Sequence, residues 1–146
     1  MNRLRRFIGL GPREQWATVE AAATLVVIQA LLDRAPERGW QRLVRKACGE
    51  HSADAERVGG GERVERVLRA VRRASAHLPR TTCLGRALTA WVMLRRRSIP
   101  SVVRLGVTSS PESPFGAHAW LECGGRAVLG EPQAGQYVAF RGIGAA

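Results

Sequence analysis

Lysine is all but missing from this chain: of its 23 basic residues, only Lys46 is not an arginine. The formal net charge of +11 would ordinarily suggest a nucleic-acid partner. In a chain also rich in alanine, glycine and valine, however, an arginine skew reads as GC-rich coding as readily as selection for phosphate contacts. Aromatic residues are scarce too, at 5%, so the stacking platforms of single-strand binders are lacking. Nucleic-acid binding is not expected, and an acidic peptide or protein partner accounts for the charge equally well.

Cysteine is also sparse. Cys48, Cys83 and Cys123 make an odd count without the dense spacing of a disulfide scaffold. Cys48 and His51 form half of a zinc-site pattern, but no second half follows, and neither a metal nor a cofactor is expected. The triglycine at 59–61 has no strand before it and no Lys-Ser/Thr after it, so it reads as a connector rather than a phosphate cradle. Long hydrophobic runs are missing as well. The most apolar stretch, "AAATLVVIQALL" (21–32), is too short to span a bilayer and is flanked by Glu20 and Asp33. The basic start, "MNRLRRFIGLGPREQW", is interrupted by Gly11-Pro12-Arg13-Glu14 before a signal-like apolar region forms. These shortages together predict a cytoplasmic protein with reduced thiols and no stable membrane insertion.

What is present is helical at the front. Pro12 suits a first helical position, and the run to about Leu32 is apolar nearly all round, which predicts a buried core helix. A shorter helix over 38–47 puts Trp40, Leu43, Val44 and Ala47 on one side, and Cys48 then opens a polar loop. From Glu62 to Ala76, Val64, Val67, Leu68, Val71 and Ala74 recur at helical spacing, with the arginines on a solvated opposite face. His77 then sits near a helix C-terminus, where a cation is favoured. After Pro79, Thr81 or Thr82 can cap a helix that begins near Cys83 and presents Leu84, Ala87, Leu88, Trp91, Val92 and Leu94.

The tail changes period. "SVVRLGV" (101–107), "AHAWLEC" (117–123) and "RAVLGE" (126–131) read as strands, the last two joined by Gly124-Gly125 in a primed hairpin turn. Helices followed by an antiparallel sheet make an α+β class. The connector divides the chain into an N-terminal helical region, 1–58, and a core, 59–146, within what is expected to be one compact domain.

Three residues form a candidate constellation. With Gly124 and Gly125 as the turn, regular pairing places Cys123 opposite Arg126, Glu122 opposite Ala127 and His118 opposite Glu131. Directly opposed residues have Cβ atoms about 4.5–5.5 Å apart, and a carboxylate beside an imidazole selects its tautomer. A bulge would spoil that register. Cys83, in the first turn of a helix, would meet the positive dipole end and unpaired N–H groups, which favour thiolate and can hold an oxyanion. Cys83, His118 and Glu131 thus form a nucleophile–base–orienter set, with Glu122 as an alternative orienter. Cys48 and Cys123 are read as structural or incidental.

"LPRTTCLGRALTAWVMLRRRSIPSVVRLGV" followed by "FGAHAWLECGGRAVLGE" closely resembles the transglutaminase-like cysteine proteases of lasso-peptide biosynthesis. The resemblance implies a papain/transglutaminase-like fold, in which N-terminal helices and a nucleophile-bearing helix pack on an antiparallel sheet. It implies a leader peptidase acting on a ribosomally made precursor. The expected partners are that leader peptide, a separate leader-recognition protein and an asparagine-synthetase-like lasso cyclase. A small pocket for a threonine at the second-last leader position is also implied. By the motif, Cys83 matches the nucleophile and His118 the base, while the family's third residue is usually Asp, where this chain offers Glu131. A non-catalytic scaffold or peptide-binding subunit, and transamidation by the same residues, are the alternatives.

Overall fold

A computed structural model of the chain describes residues 8–34, 37–49, 61–108, 116–131 and 137–139, with backbone only for 37–40 and 48–49. Among the described residues, four helices precede the sheet: α1 (Pro12–Arg34), α2 (Glu37–Gly49), α3 (Glu62–Ser75) and α4 (Cys83–Arg95). The strands are β1 (Val102–Thr108), β2 (Ala117–Cys123), β3 (Arg126–Leu129) and β4 (Tyr137–Ala139), ordered β3-β2-β1-β4 with every neighbouring pair antiparallel. The architecture is α+β, helices packed on an antiparallel sheet, as the order of periodicities predicts. Three of its strands were legible in the sequence. The three-residue β4 is too short to show a period of two.

One hydrophobic cluster joins the helices to the sheet. The five periodic residues of α3 are all buried, as are Ala17, Ala21, Leu25 and Ile28 of α1. In α2, Val44 and Ala47 are buried and Leu43 packs against the cluster, while the Trp40 side chain lies outside the described residues. Helix α4 is buried over Gly85 and Ala87 to Leu94 except Val92, so it turns more than one face inward. It packs against α1 and α3 as well as β2. On β2, alternation sends Ala119, Leu121 and Cys123 into this cluster and His118, Trp120 and Glu122 to the opposite face.

Helix α1 departs from the expectation of burial all round. Trp16, Val19, Val26, Val27 and Leu31 are exposed, Trp16 at 72%. The neighbouring helices α3 and α4 cover one side only, so an apolar ring of residues yields one buried stripe and one bare one. By length and composition this helix could also cross a membrane, which a reading confined to 21–32 missed because the helix extends beyond that run on both sides. Helix α2 continues to Gly49, so Cys48 lies in a helix rather than in a loop. Its side chain and His51 fall outside the described residues, and no metal-binding cluster occurs among those described.

The arginine faces are only partly solvated. Arg69 and Arg73 of α3 both bond Glu14 of α1, the former at 2.8 Å. At the far end of α4, Arg97 bonds Glu20 at 2.5 Å and Arg96 approaches it at 3.6 Å. Two acids on α1 therefore fasten it to α3 and to the end of α4. The Arg73 and then the Arg69 hydrogen bonds hold the Glu14 carboxyl below its ordinary value, and Arg97 does the same for Glu20.

A carboxyl depressed in the folded state stabilises the fold above its unfolded value, and that contribution is lost as pH falls through the lower, folded value. Thermal stability is therefore expected to fall as pH drops below about 4.5, the ordinary carboxyl value. Glu14→Gln should flatten that acid limb and cost about 1 kcal/mol at neutral pH, read by urea unfolding.

Candidate active site

The Cys83 helix begins as its sequence suggests. Thr82 is the N-cap, extended at φ −87° and ψ 159°, and its hydroxyl accepts the Gly85 N–H at 3.0 Å. Cys83 is the first residue of α4 and half-buried against the core. The N–H groups of a first helical turn have no intrahelical acceptor, so that of Cys83 can serve an incoming anion. Cys123 behaves differently: burial pushes its thiol up to about 11 and leaves it a packing residue.

The hairpin is where sequence and structure part. The turn has Gly124 at φ 59° and Gly125 at φ 71°, as a primed turn requires. Pairing starts in the expected register, Cys123 with Arg126 and Glu122 with Ala127. It then slips, because Leu121 pairs with Leu129 and Val128 is an extra residue on β3. The slip removes the opposition of His118 and Glu131 on which the orienter assignment depended. Glu131 lies beyond the end of β3 and is exposed. Single-residue bulges leave no periodic trace, which is why the register could not be read in advance.

A main-chain oxygen takes the orienting position. His118 Nε2 lies 2.7 Å from the Gly130 carbonyl oxygen. A carbonyl only accepts, so Nε2 carries the proton, and the neutral ring keeps its lone pair on Nδ1. Gly130 has φ 72°, and a Cβ there would stand 3.0 Å from the Ala119 carbonyl oxygen, so the bend that presents this carbonyl calls for glycine.

The imidazole is also held by rings on either side. Trp120 stacks with it at 6.2 Å between centroids, and Tyr137 of β4 lies 5.1 Å away at a tilt. Gly106, paired with His118, has no room for a Cβ because the Trp120 ring and the Val138 carbonyl close over it. Glu122, the alternative orienter, is engaged elsewhere. It accepts from Trp120 Nε1 and from Arg104 Nε, both at 2.9 Å, and so positions His118 only through Trp120. Among the described residues no hydrogen bond joins Cys83 to His118, or His118 to Glu131. His77 takes a capping role, with Nδ1 2.7 Å from the Arg73 carbonyl oxygen. Sequence reasoning missed Gly130, Tyr137 and Gln29, the last of which accepts from Thr82 just ahead of the thiol.

A thiol at a capped helix start and, later in the chain, a strand histidine bonded through Nε2 are two separate parts of a papain- or transglutaminase-type site; here His118 lies on the sheet face away from the cluster against which Cys83 packs. The family model described as the transglutaminase-like superfamily matches residues 14–142. The chain belongs to that superfamily. No curated protein and no solved structure matches it. The superfamily match begins within α1 and runs past β4, so it takes in the front helices as well as the sheet of this transglutaminase-like chain.

Gly130→Ala is expected to lower stability by about 1–2 kcal/mol, the cost of a left-handed backbone for a residue with a Cβ. In the same variant, NMR should show the His118 ring losing its preference for the Nε2–H tautomer.

Proposed function

We propose that this protein is a cysteine peptidase that removes the leader from a ribosomally synthesised lasso-peptide precursor, with Cys83 as nucleophile and His118 as base. The observation that carries the reading is the His118 Nε2 bond to the Gly130 carbonyl, which leaves Nδ1 as the proton acceptor. Superfamily membership and the position of Cys83 at a capped helix start support it.

The chemistry is acyl transfer to water. The Cys83 proton passes to His118 Nδ1, and the sulfur attacks the scissile carbonyl, forming a C–S bond and an oxyanion that the Cys83 N–H can hold. As the tetrahedral species collapses, the C–N bond breaks and the imidazolium gives its proton to the departing core-peptide amine. A water molecule, deprotonated by His118, then attacks the thioester. The leader leaves as a carboxylic acid and the thiol is restored. Catalytic hydrogen bonds are often long in free enzymes and tighten with substrate, so thiol and imidazole are expected to close on each other when the precursor binds.

In this reading the Gly130 carbonyl performs the orienting task that the regular register assigned to Glu131. The precursor arrives on a separate leader-recognition protein, and an asparagine-synthetase-like cyclase uses the freed amine, all in the cytoplasm. The cut itself calls on no metal or nucleotide.

The test mixes protein, precursor and recognition partner and follows intact masses. Cleavage at one leader–core bond is expected, lost by at least about 1,000-fold in Cys83→Ala and His118→Ala. Glu131→Ala should stay within about threefold of the wild type, because Nε2 already has its partner. Cleavage by Cys83→Ala would overturn the reading. An uncut precursor beside folded wild-type protein would point instead to a non-catalytic scaffold.

A further inference from the structure

Helix α1 reaches the nucleophile's end of α4 with a polar side chain, that of Gln29. Gln29 Oε1 lies 3.3 Å from the Thr82 backbone nitrogen and 3.2 Å from Thr82 Oγ1. The amide orientation follows from its partners. The Thr82 N–H can only donate, so the oxygen must face it, while Gln29 Nε2 points at Asp33 Oδ1, 3.0 Å away. The Thr82 hydroxyl is determined in the same way. It accepts the Gly85 N–H, so its own proton is available to Gln29.

A second feature marks the same spot. A Cβ on Gly85 would stand 2.7 Å from Gln29 Oε1 and 3.1 Å from Thr82 Oγ1. Glycine inside a helix is unfavourable relative to alanine. At Gly85 the missing Cβ is what lets the Gln29 oxygen approach the cap.

From this geometry we infer that Gln29 is a positioning residue for Cys83, acting through Thr82; the inference rests on Cys83 being the reacting group. Thr82 immediately precedes the thiol, so its backbone direction sets both the direction of Sγ and that of the Cys83 N–H. Gln29 fixes that direction from a separate helix, with its far end tied to Asp33 one turn along. The front helix is thereby part of the catalytic apparatus without touching the substrate.

The experiment compares wild type, Gln29→Ala and Gly85→Ala. It reads kcat and KM for leader cleavage, Tm, and the rate of Cys83 alkylation by iodoacetamide between about pH 5 and pH 9, located by peptide mass. Both variants are expected to lose about tenfold in kcat, with KM within about twofold, and to alkylate more slowly with a profile moved to higher pH. Gly85→Ala should do so without losing Tm, since alanine favours the helix, and it decides the matter if Gln29→Ala does not fold.

If wild type cuts the precursor and Gln29→Ala matches it in kcat and alkylation profile, the positioning inference is overturned while the peptidase reading stands. A change in KM alone would overturn it as well, making Gln29 a substrate contact. If wild type leaves the precursor uncut, the peptidase reading has failed, and the alkylation profiles alone decide the role of Gln29.

Discussion

Helix α4 is confined between two helices and a sheet, and the rest of the structure is arranged around that confinement. Leu88, Ala90, Met93 and Leu94 are without solvent exposure, and the buried Thr89 hydroxyl is satisfied by the Gly85 carbonyl at 2.8 Å. Such a helix cannot rotate or slide without opening the core, because interiors packed this densely tolerate little displacement. Its first residue is Cys83. The position of the thiol is therefore inherited from the packing of the whole molecule, with the cap at Thr82 settling only the last bond angles.

The charge balance follows a similar economy. Acids are outnumbered 12 to 23, and three of them each hold two donors: Glu14 takes Arg69 and Arg73, Glu20 takes Arg96 and Arg97, and Glu122 takes Arg104 and Trp120. The first two fasten α1, and the third fixes an indole that stacks on His118. These arginines thus tie elements of the fold to one another from half-exposed positions. This is why a large net charge says little about function until its partners are known.

A carbonyl in the orienting position has chemical consequences. It selects the tautomer as firmly as a carboxylate, since it can only accept. It carries a dipole rather than a full charge, however, and charge-assisted bonds are about twice as strong as neutral ones. In the proposed mechanism, an imidazolium at His118 would draw less stabilisation from Gly130 than from a carboxylate on Nε2. The Trp120 and Tyr137 rings, 6.2 and 5.1 Å from the imidazole between centroids, are the other groups set against it.

Sequence alone was enough for the elements whose signal is local. The i, i+3, i+4 repeat of α3, a threonine cap at Thr81 or Thr82 and the two left-handed glycines of the hairpin are each written in a few adjacent residues, as was the candidacy of Cys83 and His118; the structure chose Thr82. The tertiary structure decided everything that depends on an offset or on a neighbour from elsewhere in the chain. One extra residue at Val128 exchanged a carboxylate orienter for a backbone carbonyl. Neighbouring helices that cover one side of α1 left Trp16 and Val27 bare, and the pairing of Gln29 with Thr82, 53 residues apart, joined the first helix to the fourth. Periodicity records which face of an element is apolar; it does not record what lies against that face, and a one-residue slip between strands leaves no trace in either strand's pattern.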